Sequence, residues 1–176
     1  MTNEIFEELK EAYVEHLKEM MLEEGTIYPV ITIFADHIED TEGKGAIVHL
    51  PIPAEYMQSS KKKDEFIEEM LPQVAEQVRE KFIPYAVAWS AEAWMTLADK
   101  KDDGSFEMKQ EKEEGIIINI ETDDKTETLI YKIIRNMNVE EKEGLKETIT
   151  LEKKDDVSTG TGEGRFTGLL KKFKHV

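Results

Sequence analysis

The chain has 176 residues, enough for one domain with its own core and too few for several. Hydrophobic residues make up 39% and charged residues 35%, with 10 Gly and 5 Pro, a balance that excludes collagen-like and wholly disordered chains. Acids outnumber bases 39 to 23, and the resulting formal charge of -16 repels nucleic-acid phosphates and anionic lipid heads.

From Thr2 to Glu24, Ile5, Phe6, Leu9, Tyr13, Leu17, Met20 and Met21 recur at three- and four-residue steps, with Thr2 or Asn3 as cap and Gly25 as stop. This predicts an amphipathic helix, with His16 half-buried at the edge of its apolar face. Ile27 to Ala35 and Gly45 to Leu50 read as two strands of a hairpin, which Pro51 and Pro53 end. Ser59 or Ser60 then caps a second helix carried by Phe66, Ile67, Met70, Leu71, Val74, Val78 and Phe82, with a kink or break expected at Pro72. Tyr85 to Leu97 is apolar at nearly every position and reads as a central strand buried on both faces. Ala98 to Glu113 reads as a surface loop. Gly115 to Glu121 and Leu129 to Arg135 are expected to pair antiparallel across the acidic turn at Asp123 and Asp124, and Leu145 to Leu151 adds an edge strand.

Taken together, these elements predict an α+β fold, with two amphipathic helices on one face of a mainly antiparallel sheet of five or six strands. Residues 1–157 form the expected domain, and 158–176 a Gly-rich linker with a basic amphipathic tail. No apolar run approaches the ~18 residues of a membrane helix, and the opening stretch is acidic and amphipathic rather than signal-like, so a cytoplasmic protein is expected.

The tract Ser90-Ala91-Glu92-Ala93-Trp94-Met95 resembles the Ser-Glu-Ala-Trp-type signature of a group of small, uncharacterised phage and bacterial proteins. In that group a buried strand ends in the signature and leads to a polar loop and an aliphatic hairpin. Here Tyr85 to Arg135 matches, joined by Gly164 to Leu170, and Ala91 separates Ser90 from Glu92. The resemblance implies a phage or mobile-element setting, hence a host cytoplasm, and brings no activity or site residues with it.

For chemistry, the absence of Cys removes disulfides, thiolate catalysis and Cys-ligated metals. His16, His37, His49 and His175 lie in different segments without a two-ligand spacing, so no metal or cofactor is expected. Gly160-Thr161-Gly162-Glu163-Gly164 lacks the Lys of a phosphate loop and reads as linker. Glu92 interrupts an apolar strand on the face shared with Ser90 and Trp94; burial would raise its pKa, as in a general acid or base, but a structural pairing is the favoured reading of such a carboxylate.

The leading reading is a non-enzymatic accessory or interaction protein, phage-associated, working through protein contacts or self-association. Its interaction surface would comprise Glu7, Glu11, Glu15 and Glu19 on the first helix, and Arg165, Leu169, Leu170, Lys171, Lys172 and Phe173 in the tail. The tail would pack on its own subunit, on a second copy or on an anionic partner. One alternative is a small enzyme or ligand-binding domain whose cleft uses Glu92, His49 and Tyr85; another is an acidic DNA mimic that inhibits a host nucleic-acid-binding protein.

Overall fold

The computed structural model describes residues 1–39, 45–96, 98–100, 103, 105–108, 112–140, 144–154 and 168–174, with 98–100, 106–108, 138–140 and 144–147 described by backbone alone. Helix α1 (Asn3–Glu24) starts where the Thr2 hydroxyl accepts the Ile5 N–H and ends at Gly25, whose left-handed φ of 74° lets its N–H reach the Met21 carbonyl. Strands β1 (Val30–His37) and β2 (Ala46–Pro51) pair antiparallel. A short turn of helix, α2 (Ala54–Met57), precedes α3 (Ser60–Glu65), which Ser59 caps. A π-helical turn over Phe66–Met70 leads into α4 (Leu71–Arg79). The disturbance expected at Pro72 takes that form: the Leu71 N–H reaches back five residues to Phe66, widening the helix ahead of the proline. Phe82 belongs to no helix but opens β3 (Phe82–Met95).

Beyond β3, the segment read as loop contains a two-stranded ribbon, β4 (Ala98–Lys100) with β5 (Phe106–Met108). Its turn is tied by Asp103, which accepts from both the N–H and the hydroxyl of Ser105. Sequence polarity concealed this ribbon because a hairpin can form on backbone pairing and turn chemistry without an apolar face. Strands β6 (Glu113–Glu121), β7 (Thr126–Glu140) and β8 (Gly144–Lys153) follow, and α5 (Leu169–Lys174) closes the described chain.

The result is α+β, with a curled, wholly antiparallel six-stranded sheet in the order β2-β1-β3-β6-β7-β8. The expected placement of both helices on one face is corrected. Helix α1 packs Phe6, Tyr13, Leu17 and Met21 against Phe34, Ala86, Ala88, Ile116, Ile118 and Ile120. The π turn, α4 and α5 pack Phe66, Leu71, Ala75, Leu169 and Phe173 against Ile31, Ile33 and Val87 on the opposite face. A central strand apolar on both faces requires a layer on each, because side chains alternate across the sheet. None of the described helices is long and apolar enough to cross a membrane.

Candidate functional site

Beneath and beside α1, the even-numbered residues of β3 build two polar clusters. At the C-terminal end of the helix, Glu92 accepts the Thr26 hydroxyl at 3.1 Å and the Ile27 N–H, and its carboxyl meets that of Glu114. Arg135 on β7 holds Glu114 from the other side with Nε to Oε2 at 2.8 Å and Nη2 to Oε1 at 2.7 Å, and also donates to the Gly25 carbonyl at 2.9 Å. Burial, followed by the neighbouring Glu114, pushes Glu92 above the ordinary carboxyl range, while the Arg135 guanidinium pulls Glu114 below it. The cluster joins two carboxyl groups to one guanidinium and clasps the end of α1 to three strands.

The second cluster runs inward from the edge strand. Tyr13 on α1 donates to the Ser90 hydroxyl at 2.9 Å in the buried core, and the Thr32 hydroxyl bonds to the Tyr13 oxygen. Thr32 also lies 3.0 Å from His49 Nδ1. A hydroxyl both donates and accepts, so Thr32 links the Tyr13 phenol to the His49 ring. His49, Thr32, Tyr13 and Ser90 thus form one run of contacts from the edge strand into the core, with Nδ1 the engaged ring nitrogen of His49. Burial, with His16 beside it, lowers the His49 pKa, keeping the ring neutral at pH 7, and burial raises that of the Tyr13 phenol. His16 is exposed rather than half-buried, and its ring centre lies 6.0 Å from that of His49.

The cleft expected from Glu92, His49 and Tyr85 is not assembled, since each residue sits in a different place. Glu92 is in the clasp and His49 joins the hydroxyl chain. Tyr85 is the extra residue where the β1–β3 register shifts, packed 5.1 Å from Phe6 and lining a hollow with Asn3 and the Thr122–Lys125 turn. Of the expected tail surface, Leu169, Leu170 and Phe173 are buried in the chain's own core. Glu121 accepts the Gly168 and Leu170 N–H groups at 2.7 and 3.2 Å, and Arg79 donates to the Lys172 and Phe173 carbonyls. Of the three seats the sequence offered the tail, the structure shows its own subunit. Lys171 remains exposed and Lys172 half-buried; Arg165, the Gly160–Gly164 run and His175 lie outside the described residues. Glu11, Glu15 and Glu19 face solvent along α1, while Glu7 is half-buried and paired with Lys10. Among the described residues, no three His, Asp or Glu side chains converge as a metal cage.

A feature absent from the expected site residues lies beside the clasp. Trp94 is 68% exposed on β3, two residues beyond Glu92, and Leu22 in the last turn of α1, Tyr28 after it and Met137 on β7, two residues beyond Arg135, are exposed as well. Trp94 lies directly across from Glu114, one alternation beyond Glu92 on the face that α1 stops short of covering. The strand alternation placed Trp94 on the face of Glu92; only the tertiary structure shows that it is left exposed there. No family model, curated protein or solved structure matches the chain.

Proposed function

We propose that this chain is a non-enzymatic interaction protein whose contact face is the sheet end beyond α1. The observation carrying this reading is Trp94, an exposed tryptophan on a regular strand; Leu22, Tyr28 and Met137, on or next to the elements joined by the clasp, are exposed as well. Tryptophan and tyrosine supply large apolar contact area and dominate binding energy where a partner buries them. The rim is acidic: Glu19, Glu23 and Glu24 face solvent on the last turns of α1, and the chain as a whole carries -16. Such a surface suits a basic protein segment presenting apolar side chains, drawn in electrostatically and held by the aromatic contacts. The tail's apolar stripe, being spent on the chain's own core, contributes cohesion instead of contact. The phage setting rests on the Ser90–Met95 signature.

The test pairs capture with reconstitution. Wild type and Trp94→Ala are used in parallel as bait, and any protein retained by wild type alone is purified and titrated against both. Exposure of Trp94 keeps the variant's stability within about 0.5 kcal/mol of wild type. The expected result is a purified partner whose affinity falls by about thirtyfold or more in the variant, the behaviour of a hot spot. Identical retention by both baits overturns the assignment.

A further inference from the structure

We propose that His16 and His49 form an open binding site for a divalent transition metal of the zinc, nickel and copper class. The two rings come from different elements, α1 and the edge strand β2, and both are exposed. Their ring centres are 6.0 Å apart with planes 36° from parallel. With a metal–nitrogen bond of about 2.0–2.1 Å, each ring centre stands about 3.2 Å from the ion, so two imidazoles sharing one metal stand about 5.2 Å apart at the tetrahedral angle and about 6.4 Å apart when opposed. To reach the tetrahedral spacing the rings must close by about 0.8 Å, a shift that rotation of the two exposed side chains supplies.

The support behind His49 distinguishes the pair from two histidines that happen to be near each other. A ligating imidazole needs one nitrogen free and the other fixed by a hydrogen bond that sets its tautomer and aim. Thr32 stands 3.0 Å from Nδ1, and its hydroxyl oxygen accepts the Nδ1 proton in the tautomer that a metal at Nε2 requires; behind it, Tyr13 donates to Ser90 in the core. The contact at Nδ1 makes Nε2 the nitrogen of His49 that would meet the metal. Tyr13 stands one helical turn before His16 and 5.9 Å from the His49 ring, so the residue that anchors the hydroxyl chain also supports the space between the two ligands. Neutral imidazoles without thiolates favour borderline first-row ions over magnesium or calcium, which take oxygen ligands. With two protein ligands, the remaining positions belong to water or to a donor group of a second molecule. The site is independent of the Trp94 surface, and the two stand or fall separately.

Calorimetric titration of the full chain with zinc and nickel chloride, with magnesium and calcium chloride alongside, tests the proposal. One equivalent of zinc or nickel is expected to bind and neither magnesium nor calcium. His16→Ala and His49→Ala should each abolish the binding. Thr32→Val, which keeps both ligands but removes the bond that aims His49, should weaken it by about ten- to hundredfold. A chain carrying His37→Gln and His175→Gln should bind as wild type does. A measurement needing no variant accompanies these: cobalt added to the wild-type chain should broaden or shift the ring resonances of His16 and His49 ahead of those of His37 and His175. Absence of zinc and nickel binding at millimolar concentration, binding that survives loss of both His16 and His49, or cobalt effects centred on the other histidines would overturn the site.

Discussion

Replacing Tyr13 by Phe removes a single buried oxygen and tests the hydroxyl chain that organises the space under α1. Tyr13 is 1% exposed and its hydroxyl serves two partners, Ser90 and Thr32, both fully buried. The variant keeps the ring and its edge-on packing against Phe34 at 5.6 Å, so little apolar burial changes. The loss is polar: a net hydrogen bond contributes about 0.5–1.5 kcal/mol and a stranded buried partner costs about 1–3 kcal/mol, giving an expected destabilisation of about 2 kcal/mol. With an unfolding entropy of about 2.1 cal/mol/K per residue over 176 residues, that lowers Tm by about 5 °C. Urea unfolding at unchanged slope reads the same quantity. Adding Ser90→Ala should cost less than the sum of the single changes, with a coupling of about 1 kcal/mol, since removing both partners leaves fewer groups stranded. Nitrogen-15 spectra supply a second readout: the tautomer balance of His49 should shift between wild type and Tyr13→Phe, because the variant removes one of the two partners of the Thr32 hydroxyl. A Tyr13→Phe chain within 0.5 kcal/mol of wild type, or strictly additive substitutions, would refute the network.

The remaining expectations concern the clasp and the tail. Glu92 holds its proton more tightly folded than unfolded, so the stability it contributes is fully present below the ordinary glutamate value of 4.5 and is lost as pH rises through its higher folded value. Glu114 is the opposite case: what it contributes is present above 4.5 and is lost as pH falls through its depressed folded value. Glu92→Gln, which places an amide donor toward Glu114 and cannot ionise, should therefore raise Tm relative to wild type more at pH 8 than at pH 5; an equal offset at both pH values would show that folding does not raise the Glu92 pKa. Phe173 is fully buried beneath α5, and Phe173→Ala should cost about 3–5 kcal/mol in denaturant unfolding. A loss below 1 kcal/mol would mean that the tail does not belong to the core.

How much of this was legible in the sequence depends on the range of the interactions involved. Periodicity of 3.6 marked α1, Thr2 and Gly25 bounded it, and alternation or continuous apolar runs marked all six strands of the main sheet. Those signals are local and follow from backbone geometry. Strand parity likewise set Glu92, Ser90 and Trp94 on one face. The π turn before Pro72 and the ribbon after Trp94 exceeded such signals, the first because a missing donor can be met by widening as well as breaking a helix, the second because its pairing owes little to hydrophobicity.

By itself, then, the sequence determined the α+β class, the antiparallel pairing and the two-sided burial of β3, since each is written in spacing that a short segment carries alone. Only the tertiary structure decided that helices cover both faces, that the tail's apolar residues enter the core, and that Glu92 meets Glu114 and Arg135 while His49 meets His16. Those meetings join residues tens of positions apart, and their geometry depends on sheet order and on where α1 stops, quantities that arise when whole elements pack and that no local pattern encodes.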